Sequence, residues 1–311
     1  MAGNVADEQR YTGESRSVEK GSGEKRVSKF IDYIKLEHTV FDIPFIVAGS
    51  FIAAGGFPGI RVIILVILAG TLARATGMSI NRIMGRKYDV TNPRKKTWGM
   101  VTGKISGKSA KAFTVVTAGI FELCTFFLNT LVLELSPIVL GMFILDPLLK
   151  KVTPWRHLFM GFAIGVGVMA GYLAYLPVFP SSPEIYLLVA ATSFWIGGFD
   201  MVYTLPDRAF DIANGLKTVM TKFGVNKGLI ISDIFHIVTL ALFTFLILYI
   251  RSWFYVIALI IFYVLITYQH IIVKPDDPKS IKVSFLNSNS FIGFTFLIAL
   301  ILAQYVPLLN L

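Results

Sequence analysis

Nine long apolar stretches dominate this 311-residue chain. A helix needs about 20 apolar residues to cross the hydrocarbon core of a bilayer. Only helices and closed barrels span membranes, and the alternation of polar and apolar residues that marks barrel strands is missing here. The sequence therefore predicts an all-α, polytopic membrane protein with nine transmembrane helices, at about 38–56, 60–80, 111–133, 136–149, 157–178, 183–203, 228–250, 252–270 and 287–308.

The charged residues are few and unevenly distributed along the chain. They make up 15% of it, against about 25% in a typical soluble protein. Basic residues accumulate in cytoplasmic segments, and here most of them lie in the N-terminal segment and in alternate loops, while the opposite side has only Arg61 and Arg251. We therefore expect a multi-pass protein of the cell membrane, surrounded by membrane lipids, with its N-terminus in the cytoplasm and its C-terminus outside.

Residues 1–28 differ in composition from the rest of the chain. They are rich in Gly, Ser, Glu and Lys and lack the apolar core of a signal peptide. Such a segment cannot bury enough apolar surface to fold on its own. We expect a disordered cytoplasmic tail over 1–28 and one transmembrane domain over 29–311.

The composition also excludes several kinds of site. The basic residues lie between apolar runs rather than on a soluble surface, so nucleic acid is not expected as a partner. A single cysteine, Cys124, excludes disulfides and cysteine-based zinc sites. The four histidines are scattered without metal-ligand spacing and are expected to be packing or interface residues: His38, His157, His236 and His270.

One arginine, Arg74, lies inside the second apolar stretch. A charge within the membrane is costly and usually faces a cavity or a partner, which favours a functional role. The alternative is that Arg74, seven residues before the following loop, extends its side chain to the cytoplasmic interface.

Two long polar segments, 81–110 and 201–227, carry the acidic residues of interest. Asn81 and Asp89 would share a helix face two turns apart, and Asp207 and Asp211 would share a face one turn apart. Carboxylates at this spacing repel each other, whereas a divalent cation such as Mg²⁺ would turn the repulsion into coordination. The alternative is that they are solvated acids at the membrane interface. The bases nearby, Arg82, Arg86, Lys87, Arg94, Lys95 and Lys96, either set the topology or bind phosphate.

Two motifs in these segments resemble a known family. Residues 74–94, which include NRIMGRKYDVTNPR, resemble the first signature of the UbiA superfamily of intramembrane prenyltransferases. The match is closest to the 4-hydroxybenzoate polyprenyltransferase branch, and GFDMVYTLPDRAFD at 198–211 resembles the second signature. The resemblance implies a helical bundle with a central cavity near the cytoplasmic face. It also implies Mg²⁺-dependent transfer of a prenyl group from an isoprenyl diphosphate to an acceptor, commonly an aromatic ring, in quinone or lipid biosynthesis.

The resemblance also implies roles for individual residues. Asp200 and Arg74 are expected to act at the acceptor end as catalytic residues. Mg²⁺ would be bound by Asn81, Asp89, Asp207 and Asp211. The diphosphate would be bound by Lys35, Arg86, Arg94 and Lys150.

Several positions depart from the family pattern. Gly85 stands where the first motif has a metal-binding Asp, and Lys95 replaces the Thr that follows Asn-Pro-Arg. Pro206, just before Asp207, should restart a helix rather than continue it. These changes leave two alternatives to an active enzyme open: a non-catalytic homologue that binds isoprenoid lipids or a partner, and a transporter, since nine spans with intramembrane charge also describe carriers.

Overall fold

The structure is a computed structural model and describes residues 29–36, 39–284 and 288–304. The tail predicted over 1–28, His38 and the last residues of the ninth predicted stretch lie outside the described residues. Within them the regular structure is helical, as the sequence predicts. A short helix covers 29–34, and twelve further helices follow it: α1 (Thr39–Ala54), α2 (Ile60–Asp89), α3 (Gly107–Leu128), α4 (Thr130–Val152), α5 (Arg156–Tyr175), α6 (Glu184–Tyr203), α7 (Arg208–Ala213), α8 (Val219–Phe223), α9 (Val225–Phe245), α10 (Trp253–Ile272), α11 (Pro278–Val283) and α12 (Asn289–Ala303).

Seven of the described helices are long and apolar enough to cross a membrane: α2 to α6, α9 with the turn after it, and α10. The first and ninth predicted spans correspond to shorter apolar helices, α1 and α12. A polytopic helical membrane protein is confirmed, whereas the count of nine spans stays a prediction.

The boundary between the third and fourth spans differs from the prediction. α3 ends at Leu128, and residues 130–133 belong to α4 rather than to the third span. The cause is Asn129, which leaves the helical conformation and caps α4 by accepting a hydrogen bond from the backbone N–H of Val132. Its amide also donates to the Leu173 carbonyl of α5 at 2.8 Å. A single polar residue thus turns one long apolar run into two helices.

Glycines allow α5 to pack closely between α1 and α6. A Cβ atom at Gly171 would lie 1.9 Å from the Ile46 carbonyl oxygen of α1, and one at Gly161 would lie 2.1 Å from the Ser193 carbonyl oxygen of α6. Small residues let helix backbones approach in this way inside membranes. A larger side chain at either position would force two helices apart.

Aromatic rings fill the core on the other side of α6. Trp195 is fully buried and its ring lies 5.1 Å from that of Phe45 in α1. Phe296 of α12 stacks on Phe45 at 5.0 Å, and Phe243 of α9 lies 5.8 Å from Phe296. These contacts join α1, α6, α9 and α12 into one body.

The two polar segments meet at one end of the bundle. After α6 the chain makes a 3₁₀ turn over Leu205–Asp207 and then starts α7, so Pro206 restarts a helix as expected. After α2 a second 3₁₀ turn covers Pro93–Lys95. The Asn92 side-chain amide donates to Asp207 Oδ1 at 2.9 Å, which ties the two segments together.

Candidate active site

A cavity of about 730 Å³ lies among α1 to α6. At the end where α2 and α6 finish, its wall carries ionisable side chains from both polar segments. From there it runs between mostly apolar walls to Phe179 and Tyr186, near the opposite ends of α5 and α6. Every site residue predicted from the sequence except Arg86 lines this cavity.

The first polar segment contributes Asn81 and Asp89 from the last three turns of α2. The side-chain oxygen of each one accepts a hydrogen bond from a lysine. Lys95 Nζ lies 2.8 Å from Asp89 Oδ1, and Lys150 Nζ lies 3.3 Å from Asn81 Oδ1. Gly85 faces the same space, since a Cβ there would lie 3.6 Å from Asp89 Oδ2.

The second polar segment contributes Asp207 and Asp211, both buried. Asp207 accepts from Asn92 and forms an ion pair with Arg94. The carboxylate of Asp211 makes no hydrogen bond or ion pair with any described residue, whereas its backbone carbonyl accepts from the N–H of Leu216 at 2.8 Å. Burial, and then the nearby charge of Asp207, raise the pKa of the Asp211 carboxyl to about 6. The charges of Lys150, Lys95 and Arg156 lower this pKa, but they do not offset the effect of burial and of Asp207.

A third group of charges lies between these segments. Asp200 Oδ2 is 2.7 Å from His157 Nδ1 and 3.7 Å from Arg156 Nη1. Arg156 Nε is also 3.3 Å from Asp146 Oδ1, and Asp146 Oδ2 accepts from the Asn81 amide at 3.2 Å. Asp146 and Arg156 line the cavity, but neither was among the residues predicted from the sequence.

The remaining predicted bases occupy different surroundings. Arg74 forms an ion pair with the buried Asp42 of α1, so its charge is matched within the bundle. Lys35 lines the cavity with a φ of 51°, a left-handed conformation that is uncommon for residues other than glycine. Arg86 is exposed beside Gly107 at the start of α3, and its contact with diphosphate stays a prediction.

Arg82, one turn before Arg86, points into the cavity instead. It is buried, and its guanidinium lies 3.9 Å from the centre of the Trp98 ring. A cation over an aromatic face is stabilised by the ring electrons. Arg82 and Trp98 thus form part of the wall around the polar end.

The donor set suits a magnesium ion that is shared with a phosphate ligand. In the described ranges no three His, Cys, Asp or Glu side chains form a ready-made metal cage. Mg²⁺ retains several waters and is usually held by one or two carboxylates together with substrate phosphates. The pair Asp207 and Asp211, of which only Asp207 has an ion-pair partner among the described residues, fits this requirement.

Comparison with known proteins shows which family the chain resembles. The model of the UbiA prenyltransferase family matches residues 43–301. A 4-hydroxybenzoate octaprenyltransferase of Nitrosomonas eutropha is 30% identical over 249 residues, which cover 78% of this chain and 84% of that protein. A 4-hydroxybenzoate octaprenyltransferase of Shewanella woodyi is 28% identical over 255 residues, covering 80% of this chain and 86% of the relative.

Solved structures share the fold. The apo structure of a UbiA homologue from Aeropyrum pernix K1 has a TM-score of 0.77 at 28% identity and covers 86% of this chain and 98% of its own. A UbiA homologue from Archaeoglobus fulgidus bound to GPP and Mg²⁺ has a TM-score of 0.69 at 18% identity, covering 89% and 100%. Because the family match extends over most of its length, this chain belongs to the UbiA prenyltransferase family.

Proposed function

We propose that this protein is a Mg²⁺-dependent membrane prenyltransferase. It transfers a prenyl group from an allylic isoprenyl diphosphate to an aromatic acceptor resembling 4-hydroxybenzoate, in quinone biosynthesis. The proposal rests on one observation: carboxylates and bases from both polar segments lie together at one end of a long apolar cavity. The names of the two relatives support the aromatic acceptor.

The two parts of the cavity suit the two parts of such a donor. The isoprenoid chain lies along the apolar walls, where water is excluded. The diphosphate lies at the polar end, within reach of Lys35, Arg94 and Lys150, and charge-assisted hydrogen bonds hold its oxygens. Asp207 and Asp211 would hold Mg²⁺, which when bound supplies positive charge to the departing diphosphate.

In the proposed reaction the bond between the allylic carbon and the diphosphate oxygen breaks, and a carbon–carbon bond forms to the acceptor ring. The ring then loses a proton and the diphosphate leaves. The bases stabilise negative charge on the leaving group. The apolar walls keep water from the allylic cation.

Asp200 and Arg74 are our candidates for the acceptor end. Asp200 is held by His157 and Arg156, which fixes the direction of its carboxylate. Arg74 lines the cavity about 10 Å closer to the start of α2 than Asn81, given the rise of an α-helix, and so lies further from the polar end. We propose that both contact the acceptor. The basic loops further support a cytoplasmic N-terminus, with the polar end of the cavity on the cytoplasmic side.

A second candidate is a non-catalytic homologue that binds isoprenoid lipids, which the missing side chain at Gly85 favours. Purified protein in lipid nanodiscs, given labelled isoprenyl diphosphate, Mg²⁺ and a panel of phenolic acceptors that includes 4-hydroxybenzoate, separates the two. We expect a prenylated product and diphosphate release that both stop on addition of EDTA. Binding of the donor without product from any acceptor would reject the proposed enzyme in favour of the lipid-binding homologue.

A further inference from the structure

Resting on the proposed function, we infer that Lys95 takes the place of a metal ion at Asp89, so that Asn81 and Asp89 do not hold the Mg²⁺ that the resemblance to the family implies for them. The site then holds one divalent cation, on Asp207 and Asp211. The first polar segment offers the ammonium group of Lys95 to the diphosphate rather than a second cation.

In the first polar segment, the side-chain oxygens of Asn81 and Asp89 already accept hydrogen bonds from lysines. Lys95 Nζ contacts Asp89 Oδ1 at 2.8 Å, with only 14% of the lysine side chain and 9% of the Asp89 side chain exposed. Lys150 Nζ contacts Asn81 Oδ1 at 3.3 Å. A cation approaching Asn81 and Asp89 would therefore have to displace both ammonium groups.

Lys95 is held in place by its own turn. Its backbone N–H donates to the Asn92 carbonyl at 3.0 Å, and the Asn92 side chain caps the same turn by accepting from the N–H of Arg94 at 2.9 Å. The Lys95 ammonium also lies 4.8 Å from the centre of the Trp98 ring. The pairing of Lys95 with Asp89 is thus built into a capped turn that packs on an aromatic wall.

The glycine at position 85 explains why one ammonium group is enough to balance the charge of Asp89. A Cβ at Gly85 would lie 3.6 Å and 3.7 Å from the two oxygens of Asp89, so a longer acidic side chain there would add a second negative charge beside Asp89. Gly85 leaves Asp89 alone, and one Lys95 charge balances it. Asp207 and Asp211 together have only Arg94 as an ion-pair partner among the described residues, which directs a divalent cation to them.

The number of bound cations tests the inference directly. We would load the nanodisc protein with a bisphosphonate analogue of geranyl diphosphate, in which a methylene group replaces the bridging oxygen, and count bound Mn²⁺ by electron paramagnetic resonance. The expected result is one Mn²⁺ per chain. Two Mn²⁺ per wild-type chain, or none, would overturn the inference, and neither result depends on a variant that folds.

Variants then test whether the ammonium group of Lys95 is the one that binds the diphosphate. Lys95→Thr should weaken binding of the analogue about tenfold or more while one Mn²⁺ remains, whereas Lys96→Thr, which removes an exposed charge next to it, should change the affinity less than about twofold. The double variant G85D/K95T should bind two Mn²⁺. Unchanged affinity in Lys95→Thr, or one Mn²⁺ in the folded double variant, would contradict the assignment.

The counts need neither an acceptor nor turnover. A protein that transfers no prenyl group yet binds one Mn²⁺ would refute the proposed function and leave this inference standing. An active protein that binds two would do the reverse.

Discussion

Asp211 is the residue whose surroundings most clearly favour a bound cation. Its charged form is disfavoured by burial and by Asp207, which raise its pKa to about 6. A raised pKa means that above this pH the ionised carboxyl costs folding free energy as long as no cation is bound. The same carboxyl that destabilises the metal-free protein is thus the one that the proposed chemistry requires.

We therefore predict opposite effects of Asp211→Asn on stability and on activity. At pH 8 in EDTA the variant should melt at the same temperature as the wild type or higher, because a charge that burial and Asp207 disfavour is gone. With Mg²⁺ its turnover should fall about 100-fold or more, as when charge stabilisation of a transition state is removed. Thermal melting and product formation measure the two effects, with the exposed Asp276→Asn as the control. Wild-type turnover in Asp211→Asn would remove Asp211 from the metal site.

At the scale of helices, the pair of Arg74 and Asp42 links α2 to α1 within the membrane. Arg74 thus has a structural partner as well as a place in the cavity wall. Removing one member of a buried ion pair strands the other charge, which costs about 3–5 kcal/mol. Replacing both members avoids that cost.

We predict that Arg74→Met and Asp42→Asn each lower stability by about this amount, and that R74M/D42N recovers most of the loss. Unfolding of the four proteins in detergent gives the coupling energy. If Arg74 also contacts the acceptor, the double variant should fold and show a raised KM for the acceptor. Additive losses in the double variant would show that the pair does not couple the helices.

Helix α5 runs alongside the whole length of the cavity. Its lining residues extend from Arg156 at the polar end to Ala174, a distance of about 27 Å at the rise of an α-helix. Ala163 and Ala170 lie on this wall, about 10 Å and 21 Å from Arg156 along the axis. Each can be enlarged to shorten the cavity from a different point.

We predict that Ala170→Phe loses activity towards long-chain donors and keeps it towards short ones, whereas Ala163→Phe loses both. Overpacking of this kind costs about 1–3 kcal/mol, equal to roughly 5- to 150-fold in kcat/KM. The measurement is kcat/KM for donors of increasing chain length. Ala241→Phe, at an exposed position of α9 outside the cavity, is the matched control. Equal effects of both cavity variants on every donor would show that the chain does not follow α5.

For the whole molecule, the orientation in the membrane can be read from two exposed positions. Lys96 lies between α2 and α3, at the polar end of the cavity, and Arg251 lies between α9 and α10. The distribution of basic residues predicts that Lys96 faces the cytoplasm and Arg251 the outside. The single native cysteine, Cys124, is buried and can be replaced by serine.

In the protein with Cys124 replaced by serine, we expect Lys96→Cys to react with a membrane-impermeant maleimide only in inverted vesicles. Arg251→Cys should react only in intact cells. The cysteine-free protein is the control for labelling. The reverse pattern would invert the proposed topology and place the polar end of the cavity outside.

Much of this architecture could be predicted from the sequence, because hydropathy reports each helix independently of the others. α6, for example, covers Glu184–Tyr203 against a predicted 183–203. The carboxylates of the two polar segments could also be identified from the sequence, because charged residues are conspicuous next to an apolar run. Both signals are local, and both survive without knowledge of how the helices pack.

The rest depends on contacts between distant residues. Asp146 is a lone acid in an apolar stretch, and its role becomes visible only when Arg156 and Asn81 are brought against it from other helices. Arg82 and Arg86 are one turn apart on α2, and the packing of that helix decides that Arg82 rather than Arg86 faces the cavity. No spacing rule within one segment carries this information.

The ion pair of Arg94 with Asp207 has a consequence for how the site is loaded. Arg94 cannot pair with Asp207 and with a diphosphate equally well, so a cation held by Asp207 would free Arg94 to contact the diphosphate. Linkage between two bound species is reciprocal: a metal that raises the affinity for diphosphate is itself held more tightly, by the same factor, once diphosphate is present. Donor and cation should therefore bind as a cooperative pair, and an empty site should have little affinity for either one alone.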